Sequence, residues 1–363
     1  MNFKWQVVRW VLRVLATIAG VAPGFSANAQ ATRLQAFNVD IQQTSVSGLS
    51  SGGYMAVQFE VANSSVVKGA GIIAGGPYFC AQGSVSTATA VCSCTTFAPL
   101  CRTADGATDV SALAQATERF AQNGDIDAPA NLARHRVYLF SGALDSKVPP
   151  PVMRDLASYY RKFMPAANLH FVGNVKANHA MPTLSFGNPC NSSETPYIDR
   201  CRFDAAGQLM DWIYGPLQPA RPGPLQGSFI EFDQSEFLAS PTAHGLDNTG
   251  WLYVPQACQG GQPCRLHVAF HGCRQGQSFS PLTLPFAPIG APYGRTFVDH
   301  AGYNRWADTN AIIVLYPQAV ATFANPQGCW DWWGYDDANY AIKSGRQMAA
   351  IRAMVDRIAS GHQ

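Results

Sequence analysis

Charge is scarce in this sequence and nearly cancels: 13% of the 363 residues are charged, with 25 basic against 23 acidic side chains. No basic run occurs, so the electrostatic footprint that nucleic acid or an anionic membrane surface requires is missing. Apolar runs of spanning length are lacking too, since the uncharged stretch from Val14 to Ala22 falls short of the roughly 20 residues a bilayer needs. There is no Cys-x-x-Cys pair, and Cys92-Ser93-Cys94 is too tight to replace it, which argues against metal ligation. No internal repeat and no Ser/Thr-rich tract marks an appended module. What is there in quantity is apolar: 47% of the chain is hydrophobic, enough for a large core and incompatible with disorder, collagen or coiled coil along its length.

Residues 1–29 read as a secretory signal peptide. Lys4, Arg9 and Arg13 make a positive start, the apolar stretch follows, and Ala27-Asn28-Ala29 is a small-x-small cleavage signal. Cleavage leaves residues 30–363 with 22 basic and 23 acidic side chains, a near-neutral chain suited to an uncharged substrate. The expected location is extracellular, or periplasmic if the host is Gram-negative, with no membrane span after cleavage, and the chain reads as a monomer.

All ten cysteines follow the cleavage site, and in an exported chain an even count with local pairs points to disulfides. Cys190 with Cys201 and Cys258 with Cys264 form natural short-loop pairs. Cys80, Cys92, Cys94 and Cys101 supply two further bridges whose connectivity spacing leaves open. Elimination then pairs Cys273 with Cys329.

Strand and helix signals alternate, the pattern of an α/β sheet. Strands are predicted at 44–47, 69–74, 137–140, 169–172, 227–232, 250–254, 266–270 and 312–316. Helices are predicted at 54–62, after Pro150-Pro151, at 205–213, at 297–309 and at 338–360. The stretch 215–224 holds too much Pro and Gly for regular structure.

The most specific chemistry lies in Ser47-Gly48-Leu49-Ser50-Ser51-Gly52-Gly53, a Gly-x-Ser-x-Gly centred on Ser50 between a strand and a helix. A sharp turn there projects a nucleophilic hydroxyl out of the sheet, and the Ser51 backbone N–H is then aimed at a developing oxyanion. A Gly/Ser turn without chemistry is the bland alternative, and the strand–turn–helix setting argues against it. Such a serine needs a base and an acid, in the chain order Ser, acid, His. Asp145 leaves the 137–140 strand and His179 follows the 169–172 strand, in that order. Each alone could be a helix-capping aspartate or a surface histidine; together with Ser50 they make a triad.

The segment Leu266 to Cys273 ends in His271-Gly272, the sequence that carries the second oxyanion donor in esterases. There it precedes the nucleophile, whereas here it follows the histidine. We therefore expect a circular permutation, with the Pro-rich joint at about 215–224, the termini close together, and residues 30–363 forming one domain rather than two.

The segments Ser47 to Met55, Tyr253-Val254-Pro255, His271-Gly272-Cys273, Tyr303 to Asn310, Tyr316-Pro317-Gln318 and Gly328-Cys329-Trp330-Asp331-Trp332 together resemble the secreted, single-domain, circularly permuted poly(3-hydroxybutyrate) depolymerases over nearly the whole chain past residue 29. The resemblance implies a circularly permuted α/β-hydrolase with a mostly parallel sheet flanked by helices and stabilised by disulfides. It implies cofactor-free hydrolysis of a polyester through Ser50, Asp145 and His179, with oxyanion donors at the N–H groups of Ser51 and Cys273. Trp330 and Trp332, in the turn that a Cys273–Cys329 bridge ties to the oxyanion strand, are candidate walls for the polymer. Two other readings compete: a secreted carboxylesterase acting on feruloyl or acetyl-sugar esters, and a non-catalytic polymer-binding protein that uses the aromatic turn alone.

Overall fold

Each apolar run pairs with the next until eight strands make one sheet, seen in a computed structural model that describes residues 31–283, 287–288 and 290–362. The expected signal peptide, 1–29, lies outside the described residues. The strands are β1 (Val39–Leu49), β2 (Val67–Ile73), β3 (Arg136–Phe140), β4 (Leu169–Val172), β5 (Ser228–Asp233), β6 (Thr249–Val254), β7 (Cys264–Phe270) and β8 (Ile312–Tyr316). They lie in the order β4-β3-β2-β1-β7-β8-β6-β5. All neighbours are parallel except β6, which runs antiparallel to both β8 and β5. Helices cover both faces, which is why β8 is an unbroken apolar run with every residue buried.

Strands from both sides of the Pro-rich stretch share this sheet, because β1 pairs with β2 on one edge and with β7 on the other. Counted from β5 to the C-terminus and onward from β1, the strands occupy the sheet as 1-2-4-3-5-6-7-8, the α/β-hydrolase arrangement entered at a different point. Where that count continues, the segment just before β1 meets the last residues described. The Phe37 N–H donates to Ile358 O at 2.8 Å, and the His362 ring bonds Asn38 Oδ1 at 2.9 Å.

Among the helices, α1 (Ser51–Ala62) is buried at all twelve positions. Its Glu60 is held by the His135 ring at 3.0 Å and by the Tyr160 hydroxyl at 2.5 Å. Next come α2 (Val110–Gln122), α3 (Pro150–Tyr160), α4 (Ala205–Tyr214), α5 (Tyr303–Asn310) and α6 (Arg346–Ala359). Two helix expectations need correction. The predicted 297–309 helix is two pieces, Thr296–His300 and α5, broken at Gly302, whose φ of 102° lies in the left-handed region. The predicted 338–360 helix begins only at Arg346, because Asp337 draws the chain into a turn by accepting from the Asn339 and Arg346 N–H groups, each at 2.9 Å. The sequence reading also passed over α2, whose N-terminus Asp109 caps through the Ala112 N–H.

Five disulfides form: Cys80–Cys92, Cys94–Cys101, Cys190–Cys201, Cys258–Cys264 and Cys273–Cys329. No helix among the described residues is long and apolar enough to cross a membrane.

Candidate active site

The parallel register makes the carboxyl ends of five strands level. Leu49 pairs with Ile73, Ile73 with Phe140, Phe140 with Val172, and Gly48 with Phe270 on the other side. The chain therefore leaves β1, β3, β4 and β7 at one edge of the sheet, and Ser50, Asp145, His179 and Cys273 all lie just beyond those exits.

Ser50 sits between β1 and α1 with φ 57° and ψ −123°, a strained conformation for a residue with a side chain. The flanking glycines make it possible. A Cβ on Gly48 would stand 2.1 Å from Gly52 O, and one on Gly52 would stand 2.3 Å from Phe270 O and 2.4 Å from His271 O. The turn is fixed by the Ser50 N–H donating to Ile73 O and by Ser50 O accepting from the Tyr54 N–H, each at 3.0 Å.

Asp145 is 4% exposed and His179 9%. His179 Nδ1 and Asp145 Oδ2 are 2.9 Å apart. A carboxylate only accepts, so Nδ1 carries the proton and Nε2 is left with its lone pair. The other carboxylate oxygen, Oδ1, accepts from the Lys147 and Val148 N–H groups at 2.8 and 2.9 Å. Lys147 O in turn accepts from the Cys94 N–H at 2.7 Å, which ties the Asp145 loop to the disulfide-rich segment 80–101. Asp145 also lies near the first turn of α1: burial first, and then this carboxylate, push the Tyr54 phenol well above its ordinary range.

The turn after β7 is built around one peptide. His271 Nε2 accepts from the Ala319 N–H at 3.0 Å, so its protonated Nδ1 donates to Gly272 O at 2.7 Å. Burial pushes the His271 pKa down to about 4, against a smaller upward pull from the Gly272 carbonyl, and keeps the ring neutral in that tautomer. With its carbonyl held, the trans Gly272–Cys273 peptide turns the Cys273 N–H the opposite way. Among the described residues the N–H groups of Ser51 and Cys273 have no backbone or side-chain acceptor.

The two tryptophans behave differently from the sequence expectation. Trp330 is fully buried and offers no face to a ligand; its indole N–H donates to His271 O at 2.8 Å, bracing the same turn. Trp332, 7% exposed, stacks on Tyr54. Between them, Asp331 folds the aromatic turn by accepting from the N–H groups of Gly334, Tyr335, Asp336 and Asp337, while burial raises its pKa in spite of those four bonds. Sequence reasoning missed the side-chain parts played by His271, Tyr54 and Asp331; an aspartate five residues short of a run of polar turn residues was the one visible signal. Among the described residues no cluster of His, Cys, Asp or Glu could hold a metal ion.

No protein-family model matches the chain. It is 48% identical over 335 residues to a poly(3-hydroxybutyrate) depolymerase of Delftia acidovorans, covering 91% of this chain and 62% of that protein, so it spans under two thirds of that relative's length. It is 40% identical over 354 residues to a polyhydroxybutyrate depolymerase of Talaromyces funiculosus, covering 93% of this chain and 96% of that one. Among solved structures, a PHB depolymerase from Penicillium funiculosum superposes with a TM-score of 0.79 at 38% identity, covering 92% of this chain and all of that one. A serine-to-alanine PHB depolymerase complexed with an R3HB trimer matches equally well, with the same TM-score, identity and coverage.

Proposed function

The chain belongs to the poly(3-hydroxybutyrate) depolymerase family, and we propose that it is a secreted, cofactor-free carboxylic ester hydrolase that cleaves poly(3-hydroxybutyrate)-type polyesters to oligomers and monomers. Ser50 Oγ attacks the ester carbonyl as His179 Nε2 takes its proton. The N–H groups of Ser51 and Cys273 stabilise the oxyanion of the tetrahedral intermediate. His179 then gives the proton to the leaving alkoxide, an acyl-enzyme remains on Ser50, and water activated by the same imidazole releases the hydroxyacid end. Asp145 holds the ring in the tautomer these steps need and stabilises the imidazolium between them.

The observation that carries this reading is the strained Ser50 at the same sheet edge as a buried, hydrogen-bonded His179–Asp145 pair. A near-neutral chain and an exported, disulfide-bonded form suit an insoluble, uncharged polymer. Residues 30–363 act as one catalytic domain once the 1–29 leader is removed. Release of soluble hydroxyacid from polyester film by residues 30–363 tests the reading, with Ser50→Ala expected to keep film binding and lose hydrolysis. A protein that cleaves small aryl or feruloyl esters but leaves the film intact would be an esterase of the other class.

A further inference from the structure

We propose that Gln275 is a positioning residue that sets the oxyanion-binding peptide and couples it to the segment carrying His179, an inference that rests on the ester-hydrolase reading above. Gln275 is 1% exposed. It holds Gly272 on both sides, through the two peptide units that meet there. Its Oε1 accepts from the Gly272 N–H at 2.7 Å, and its backbone N–H donates to Gly272 O at 3.2 Å, the carbonyl that His271 also holds. Gly272 leaves little slack, since a Cβ there would stand 3.0 Å from Gln275 Oε1 and 3.4 Å from Ser50 Cβ. The Cys273 N–H belongs to the peptide whose carbonyl His271 and the Gln275 N–H hold, and the Gln275 side chain sets the preceding peptide, on which that one hinges.

The other end of the same amide crosses to a different part of the chain. Nε2 donates towards Pro196 O at 3.0 Å, Tyr197 O at 3.2 Å and the Tyr293 hydroxyl at 3.2 Å. Tyr197 O also accepts from the Met181 N–H at 2.9 Å, two residues past His179. A single planar group therefore joins the peptide behind Cys273 to residues 196–197, which Met181 in turn bonds two residues past His179. The residues at each end of the span, Arg274 and Tyr197, have φ of 64° and 55°, a region that residues other than glycine hold only where the surroundings impose it. The amide is needed as an amide, because one end must accept from an N–H and the other must donate to carbonyls, which a carboxylate cannot do.

The test compares wild type, Gln275→Met and Gln275→Glu on p-nitrophenyl butyrate, with phenylboronic acid as the probe, since its tetrahedral adduct on Ser50 places an oxygen where the oxyanion forms. Gln275→Met should lower kcat about 10- to 100-fold, below the loss of a whole oxyanion donor, with KM within about threefold and the boronate Ki rising in step. Gln275→Glu keeps its grip on Gly272 but loses the donors, and its deficit relative to wild type should shrink as the pH falls and the new carboxyl regains a proton. If Gln275→Met does not fold, the isosteric Gln275→Glu decides the matter. Variants that melt like wild type with unchanged kcat and Ki, or with a loss confined to KM, would overturn the proposal. A wild type inactive on the ester, or an active Ser50→Ala, would instead defeat the hydrolase reading on which it rests.

Discussion

The indole of Trp332 lies flat on the ring of Tyr54, with centroids 3.9 Å apart and planes 13° from parallel. Tyr54 belongs to the first turn of α1, directly after Ser50, and its hydroxyl donates to Cys92 O. Trp332 follows Cys329, whose bridge to Cys273 anchors the turn after β7. The stack therefore joins α1, which begins right after Ser50, to the turn after β7. Trp332→Ala should cost about 3–5 kcal/mol of stability, as for other buried aromatics, and lower kcat as well, while Trp332→Phe should retain most of both. Thermal melts alongside turnover of a soluble ester check this, and an alanine variant with native turnover would show that the stack is only structural.

Asp145 is held from behind by the chain Cys94 to Lys147 to the carboxylate. Asp145→Asn should cut kcat by about 10³–10⁴ through the wrong imidazole tautomer. Removing the Cys94–Cys101 bridge by double serine substitution should give a smaller loss, since it loosens the support and leaves the acid in place. Strong reductant should inactivate the wild type. Full activity with all thiols shown to be free would contradict the part assigned to the bridges.

Asp199 is fully buried, and neither carboxylate oxygen has a hydrogen-bond partner. Burial raises its pKa to about 7, against a downward pull from the Ser192 backbone N–H. The folded state thus prefers the neutral acid. Its contribution to stability is complete below the unfolded value of about 4 and is lost as pH rises through about 7. Asp199→Asn should melt higher than wild type at pH 8 and about equally at pH 4. Equal melting temperatures at both pH values would mean that the carboxylate is satisfied in solution.

If the fold is permuted, joining Gln363 to Gln30 by a short linker and opening new ends within Pro216 to Pro224 should give a folded, active ester hydrolase. The Phe37 N–H bond to Ile358 O brings the segment before β1 beside the end of α6, and the linker must reach from there to the residues that Thr32 pairs with β5. Circular dichroism and turnover of a soluble ester check it; an insoluble product with several linker lengths would count against the permutation.

Much of this was legible in the sequence because parallel strands covered on both faces are written as short apolar runs, of which Ile312 to Tyr316 is the plainest. The Ser50 motif was legible because its glycines answer to backbone contacts within a few residues and to the neighbouring strand. Trp330 misled because three tryptophans in four positions look alike until burial separates them. Gln275 was invisible for a different reason: two of its partners lie 78 and 79 residues away, and a lone glutamine has no periodicity to betray it. The helix predicted from residue 338 failed because side chain–backbone bonds at Asp337 won over propensity.

The central position of β1 carries a consequence for how the protein comes into being. The strand leading to Ser50 is among the first to be synthesised, yet its partner on one side is β7, with Val39 opposite Cys264. Until more than two hundred residues have followed, β1 is an edge strand with an open row of backbone donors and acceptors, the kind of surface that invites intermolecular pairing. The high sequence separation of that contact also predicts slow closure. Native structure is therefore reached only once β7 is available to close the sheet beside β1.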